Sequence, residues 1–262
     1  MNFFDDLIEI PLKKDMGICN TTDEFFCLFL NKINKTNNKN ILVVVNSIYE
    51  ANKLYNSLCC YNQKTFLFPM DDFLTSEALA ASPDLKIKRL ETILNTFCQE
   101  KCIYITNLTG YLRYLPNKNV FKNSIINLKV NDIINPLELV DKLISIGYTR
   151  DSMVTKTGEY AVRGYVIDIF SFESEYPIRI EFFDDEIESI RYFDPETQKS
   201  VSNVNNITIT PFSEFIVSTE FDDEDLGKQK MLPKYGNVSS FIDYLDECFV
   251  FYKDFDQLKI SY

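Results

Sequence analysis

The chain has 262 residues, 45% of them hydrophobic and 25% charged, and its 39 acidic against 27 basic side chains give a net charge of −12. This is the composition of a soluble globular protein with room for one large domain or two to three small ones. With no dense run of Lys and Arg, it disfavours direct duplex-DNA binding, which takes a basic stripe. Histidine is absent, so the usual general base and the usual pH switch are excluded.

The opening stretch "MNFFDDLIEIPLKK" lacks a basic start followed by an apolar core. The apolar run Ile41 to Val45, "ILVVV", falls far short of the ~20 residues that cross a bilayer. The expectation is a cytoplasmic protein with no membrane span. Asn20, Thr21 and Thr22 are candidate caps for a helix through "DEFFCLFLNKINK"; "ILVVV" reads as a buried strand and "SIYEANKLYNSLCCY" as an amphipathic helix. Then come a strand "TFLFP", a loop "MDDFLTSEALAASPD", a helix "LKIKRLETILNTFCQE", a strand "CIYIT" and a short helix "LTGYLRYL". Apolar strands alternating with helices imply a parallel sheet covered on both faces.

The period changes near Leu128. "NPLELVDKLISIGYTR" is helical, with Asn135 as cap and Pro136 in the first turn. Up to about Ile209 a series of strands follows, punctuated by the turn signals "KTGE", "ESEYP", "FDDE" and "DPET". The segment "FDDEDLGKQK" reads as a solvated acidic linker, and "LPKYGNVSSFIDYLDECFVFYKD" returns to α/β character. The expected organisation is an α/β layer domain over residues 1–127, a small β-rich domain over 128–210 inserted into it, and an acidic linker with a return segment over 211–262.

Chemistry-bearing motifs are scarce. The seven cysteines, Cys19, Cys27, Cys59, Cys60, Cys98, Cys102 and Cys248, do not offer two close pairs for zinc, and reduced, mostly buried thiols are expected. None of the seven glycines begins or completes a phosphate loop, which ends in Gly-Lys-Ser/Thr between a strand and a helix. The carboxylates Asp71 and Asp72, and Asp184, Asp185 and Glu186, read as loop and turn residues rather than a magnesium site. No cofactor, metal or catalytic residue is expected.

One stretch stands apart. In "IRIEFF", Ile178, Ile180 and Phe182 lie on one face of a strand and Arg179, Glu181 and Phe183 on the other. Arginine beside an exposed aromatic is what an interface hot spot tends to contain. This segment, within "YPIRIEFFDDEIESIRYFDPET", and "GEYAVRGYVIDIF" before it resemble the small β-rich domain shared by the excision-repair protein UvrB and the N-terminal module of bacterial transcription-repair coupling factors. "SPDLKIKRLETI" and "LPKYGNVSSFIDYL" extend the resemblance to the coupling-factor layout in the right order. The phosphate loop that UvrB carries is eroded here to "MGICNTT", and its tyrosine-rich hairpin is missing around "MDDFLTSEALAASPD", which fits the coupling factor better than UvrB.

The resemblance implies a degenerate helicase-like α/β layer bearing a small domain that docks onto UvrA. Arg163, Arg179 and Phe183 match the family's contact positions, and Arg150 matches an arginine of the UvrB branch. It implies a non-catalytic adaptor linking stalled RNA polymerase to excision repair. RNA polymerase and DNA would be bound by later domains of an ATP-dependent translocase, whose C-terminal domain covers the UvrA-binding face at rest. Arg163, Arg179 and Phe183 are expected together on the solvent side, none of them part of the core. The rival reading is a degenerate NTPase subunit completed by another chain. The purified chain is expected to hydrolyse no ATP and to leave duplex DNA unbound at physiological salt; micromolar ATP affinity, or tight and salt-sensitive DNA binding, contradicts this.

Overall fold

The structure, a computed structural model, describes residues 16–19, 21–71, 82–220 and 222–261. Asn20, Asp72, the opening "MNFFDDLIEIPLKK" and most of the loop after Asp71 lie outside them. In chain order the elements are α1 (Asp23–Asn37), β1 (Asn40–Val45), α2 (Ile48–Cys59), β2 (Thr65–Phe68), α3 (Pro83–Asn95), β3 (Ile103–Asn107) and α4 (Leu108–Tyr111). Next come β4 (Leu115–Pro116), α5 (Lys118–Asn123), β5 (Ile126–Lys129), α6 (Pro136–Ser145), β6 (Thr149–Arg150), β7 (Glu159–Arg163), β8 (Val166–Ile169), β9 (Ile178–Phe183) and β10 (Glu186–Phe193). The chain ends with β11 (Ser200–Val204), β12 (Asn206–Ile209), α7 (Leu232–Tyr235), β13 (Val238–Ser239), α8 (Phe241–Tyr244), β14 (Cys248–Tyr252) and α9 (Phe255–Ser261). These elements form two compact units, Met1–Arg113 with Ser240–Tyr262, and Tyr114–Ser239.

The first unit is α/β. Thr22 begins α1, its Oγ1 accepting the Phe25 N–H at 3.2 Å, which satisfies one of the donors a helix start leaves free. All six residues of β1 are buried, as a central parallel strand requires. The sheet runs β14-β1-β3-β2, every pair parallel, so the last strand of the chain lies beside the first, with Ile41 between Ile103 and Phe249. Cys27, Leu30 and Ile33 of α1 and Ala51, Leu54 and Leu58 of α2 recur at helical spacing and close over Ile41, Val43 and Val45. On the other pleat, Phe68 stacks on Phe241 with centroids 4.3 Å apart, and Tyr104 meets Phe241 edge-on.

The second unit is built on a six-stranded sheet ordered β11-β10-β9-β8-β7-β6, antiparallel except where β6 runs parallel to β7. Asn135 caps α6 by accepting the Leu137 N–H at 2.9 Å, with Pro136 in the first turn. Leu139 and Leu143 of α6 then pack with Ile167, Ile169, Ile178, Ile180 and Ile190. Each such side chain contributes about 1.5–3 kcal/mol on burial. The fold is thus mixed α/β, with one parallel sheet and one antiparallel, β-rich sheet. Gly158, at φ +85°, has the Phe212 ring where a Cβ would stand, 2.1 Å away, so both its conformation and its lack of a side chain are required. Two ladders lie outside this sheet: β5 pairs antiparallel with β12, and β4 with β13.

Two expectations from the sequence need correction. The acidic segment is no bare linker: the Asp225 carboxylate accepts from Tyr235 Oη at 2.6 Å and Lys234 Nζ at 2.9 Å, and Lys234 also meets Asp222 at 2.7 Å. The Tyr235 hydroxyl first, then Lys234, hold the Asp225 carboxyl below its ordinary range. The thiols are free, as expected, but only Cys27 and Cys102 are buried, while Cys19, Cys60 and Cys98 are exposed. Burial pushes the Cys27 thiol up to about 11 and that of Cys102 in the same direction, which leaves both short of reactive thiolate. A neutral-pH alkylating reagent should therefore label Cys19, Cys60 and Cys98 quickly in the native chain, and Cys27 and Cys102 only after denaturation. Early labelling of Cys27 contradicts the packing of α1.

Candidate protein-interaction site

The outer face of the second sheet follows from the alternation of β9. Ile178, Ile180 and Phe182 are buried, Arg179 and Glu181 partly covered, and Phe183 73% exposed, as the pleat demands. β8 lies between β7 and β9, pairing Asp168 with Ala161 on one side and Arg179 on the other. The two arginine-bearing strands are therefore not direct neighbours, and Asp168 is what joins them.

Asp168 is 1% exposed. Its Oδ1 accepts Arg179 Nε at 2.7 Å, and its Oδ2 accepts Arg179 Nη2 at 2.8 Å and Arg163 Nη2 at 2.7 Å. Three charge-assisted bonds of this length compensate a buried carboxylate that would otherwise cost several kcal/mol. Arg179 is held from further sides. Its guanidinium lies 4.2 Å from the Phe193 ring centroid, and its Nη2 also donates to Gln198 Oε1 at 2.8 Å. Gln198 is set by the β10–β11 turn, in which Asp194 accepts the N–H groups of Glu196 and Thr197, while Gln198 stands at φ +58°. Asp168 is the leading cause that raises Arg179 further above its ordinary range.

Next to this cluster, Glu181 is paired with Arg191 through both carboxylate oxygens and takes a bond from Ser189 Oγ at 2.8 Å. Arg191 first, then Ser189 among the favourable causes, keep the Glu181 carboxyl below its usual value. The outer face thus carries three arginines and two carboxylates in two linked sets, within a stretch, residues 128–200, that holds eight Lys and Arg against fifteen Asp and Glu.

The four residues singled out in the sequence fare differently. Arg163 keeps 46% of its side chain exposed, and among the described residues its only partner is Asp168. Phe183 projects from the same face of β9 as Arg179, about 13 Å further along the strand. Arg179 is on the expected face, yet only 14% of its side chain is exposed, so it is part of the built structure rather than a loose surface cation. Arg150 lies exposed in β6 at the far edge of the sheet, in register with Tyr160 rather than with Ala161 or Arg163. The register does not bring it to the cluster.

Sequence reasoning missed two residues. Asp168 could have been found as the lone acid in the apolar run "YVIDIF", because a strand buried on both sides admits a carboxylate only with partners. Ile133 had no local signal. It bridges to Glu186, which pairs with Phe183, so Ile133 and Phe183, 83% and 73% exposed, flank Glu186 in one row.

The antiparallel unit has a known counterpart: residues 126–215 match the family model of the UvrB interaction domain. Along most of its length the chain is similar to transcription-repair-coupling factors. It is 36% identical to that of Staphylococcus aureus (strain bovine RF122 / ET3-1) over 185 residues, which are 70% of this chain and 16% of the relative. With that of Bacillus subtilis (strain 168) it shares 33% over 195 residues, 74% of this chain and 17% of the relative. The chain spans less than a fifth of the length of the curated relatives it matches. The resemblance read from the sequence, to the UvrB-related module of these coupling factors, therefore stands.

The burial of Arg179 changes what its loss should do. Arg179→Ala leaves Asp168 charged and under-bonded in the interior, a defect of about 3–5 kcal/mol, whereas Phe183→Ala removes an exposed ring and should cost less than about 0.5 kcal/mol. Denaturant unfolding of the two variants checks this. Equal stability of Arg179→Ala and the parent chain means the Asp168 cluster is not formed as described.

Proposed function

We propose that this chain is a non-catalytic module that recruits UvrA within a transcription-repair coupling factor, linking stalled RNA polymerase to nucleotide excision repair. The observation that carries the reading is a single face of the UvrB interaction domain that presents exposed Phe183 at one end of β9 and, further along the sheet, an arginine pair fixed on buried Asp168. A bare aromatic ring and a half-exposed guanidinium on the same sheet face supply the anchor and the directional donor that interface hot spots combine.

In this reading Phe183 and Arg163 touch the partner directly, Arg179 supports them, and Arg150 contacts it from the sheet edge. The parallel α/β unit is a nucleotide-free relative of a helicase layer that carries the domain, and the module works in the cytoplasm. RNA polymerase and DNA are engaged by other parts of the longer protein, an ATP-dependent translocase whose C-terminal domain covers the UvrA-binding face at rest. Among the described residues no helix is long and apolar enough to cross a membrane.

The direct test is the affinity of the purified chain for purified UvrA. Phe183→Ala, which should unfold at the parent temperature, and Arg163→Gln should each weaken binding at least tenfold, about 1.4 kcal/mol or more, with affinity referred to folded protein. Unchanged affinity in both variants refutes the reading, and so does a loss that merely follows the fraction unfolded.

A further inference from the structure

We infer that Asp168, which touches no partner itself, is the positioning residue of this site: it fixes the Arg163 guanidinium in the orientation that docking requires. The inference deepens the UvrA-binding reading and rests on it. Asp168 is 1% exposed, whereas Arg163 keeps 46% of its side chain in solvent. An arginine that open would ordinarily sample many rotamers, and ordering it at an interface costs about 0.5–1.5 kcal/mol.

Here one end is already tied. Oδ2 of Asp168 accepts Arg163 Nη2 at 2.7 Å, and that oxygen cannot swing away, because it also accepts Arg179 Nη2 at 2.8 Å while Oδ1 accepts Arg179 Nε at 2.7 Å. Arg179 is in turn pinned between the Phe193 ring and Gln198 Oε1. The order of the buried cluster is thereby passed through one carboxylate to an exposed side chain. Two guanidinium groups on one carboxylate also leave a net positive charge at the surface, and among the described residues the remaining donors of Arg163 have no partner. The buried carboxylate thus sets both the direction and the charge of what a partner meets.

Asp168→Asn keeps the shape, removes the charge and places an amide where donors converge. In the full chain it should weaken UvrA binding at least tenfold when affinity is referred to folded protein. In an Arg163→Gln background the same change should weaken binding less than threefold further, since the group it positions is already gone. Equal losses in the two backgrounds, or parent affinity in folded Asp168→Asn, overturn the inference.

Should Asp168→Asn fail to fold, the unaltered chain decides. Its Arg163 guanidinium should show restricted rotation and slowed proton exchange by NMR, and a freely rotating Arg163 side chain refutes the positioning role whatever UvrA does. Phe183→Ala and Arg163→Gln separate the two readings: if both leave UvrA affinity unchanged while Arg163 is held rigid, the site assignment fails and the Asp168 geometry stands.

Discussion

A single buried carboxylate organises the outer face of the second sheet. Asp168 sits in the middle strand of three and takes donors from both sides, so β7, β8 and β9 are locked in one register by charge as well as by backbone pairing. Slipping β9 by one residue would turn Arg179 into the hydrocarbon core and leave Asp168 bare. Burying an ion cluster adds little to stability by itself, because desolvation consumes most of the attraction. What it gives is specificity: few alternative pairings satisfy three donors at once.

The same strand serves two environments without compromise. Its inward residues, Ile178, Ile180 and Phe182, close the core under α6, and its outward residues run from the covered Arg179 to the open Phe183. Coverage falls along the strand because Phe193 and the Gln198 turn shield only one end. At the other end Phe183 has Glu186 and then Ile133 for neighbours, and nothing above it among the described residues. A rigid floor with one bare aromatic edge suits recognition, since little order remains to be imposed on binding.

Much of this was legible in the sequence, for local reasons. The pleat of "IRIEFF" assigned the two faces of β9, "ILVVV" announced a strand covered on both sides, and Asn135 with Pro136 marked the start of α6. What stayed hidden depended on contacts distant along the chain. Arg179 looks like any surface arginine until Asp168, eleven residues earlier, and Gln198, nineteen later, close on it. The separation of β7 from β8 is faint in the sequence, because "AVRGYVIDIF" shows no strong break other than Gly164. The acidic run around Asp225 looked solvated because its partners, Lys234 and Tyr235, follow only after a short turn.

The neck of the second unit has a mechanical character. Chain enters at β4 and leaves at β13, with Leu115 opposite Ser239, and a second ladder sets Ile126 opposite Ile209. In each antiparallel pair the chain enters and leaves at the same end, so tension drawn through the two connections pulls the paired strands apart sideways. The bonds are then loaded one after another, as in a zipper, and not all together in shear. Such loading would part Leu115 from Ser239 before it reached the Asp168 cluster in the six-stranded sheet.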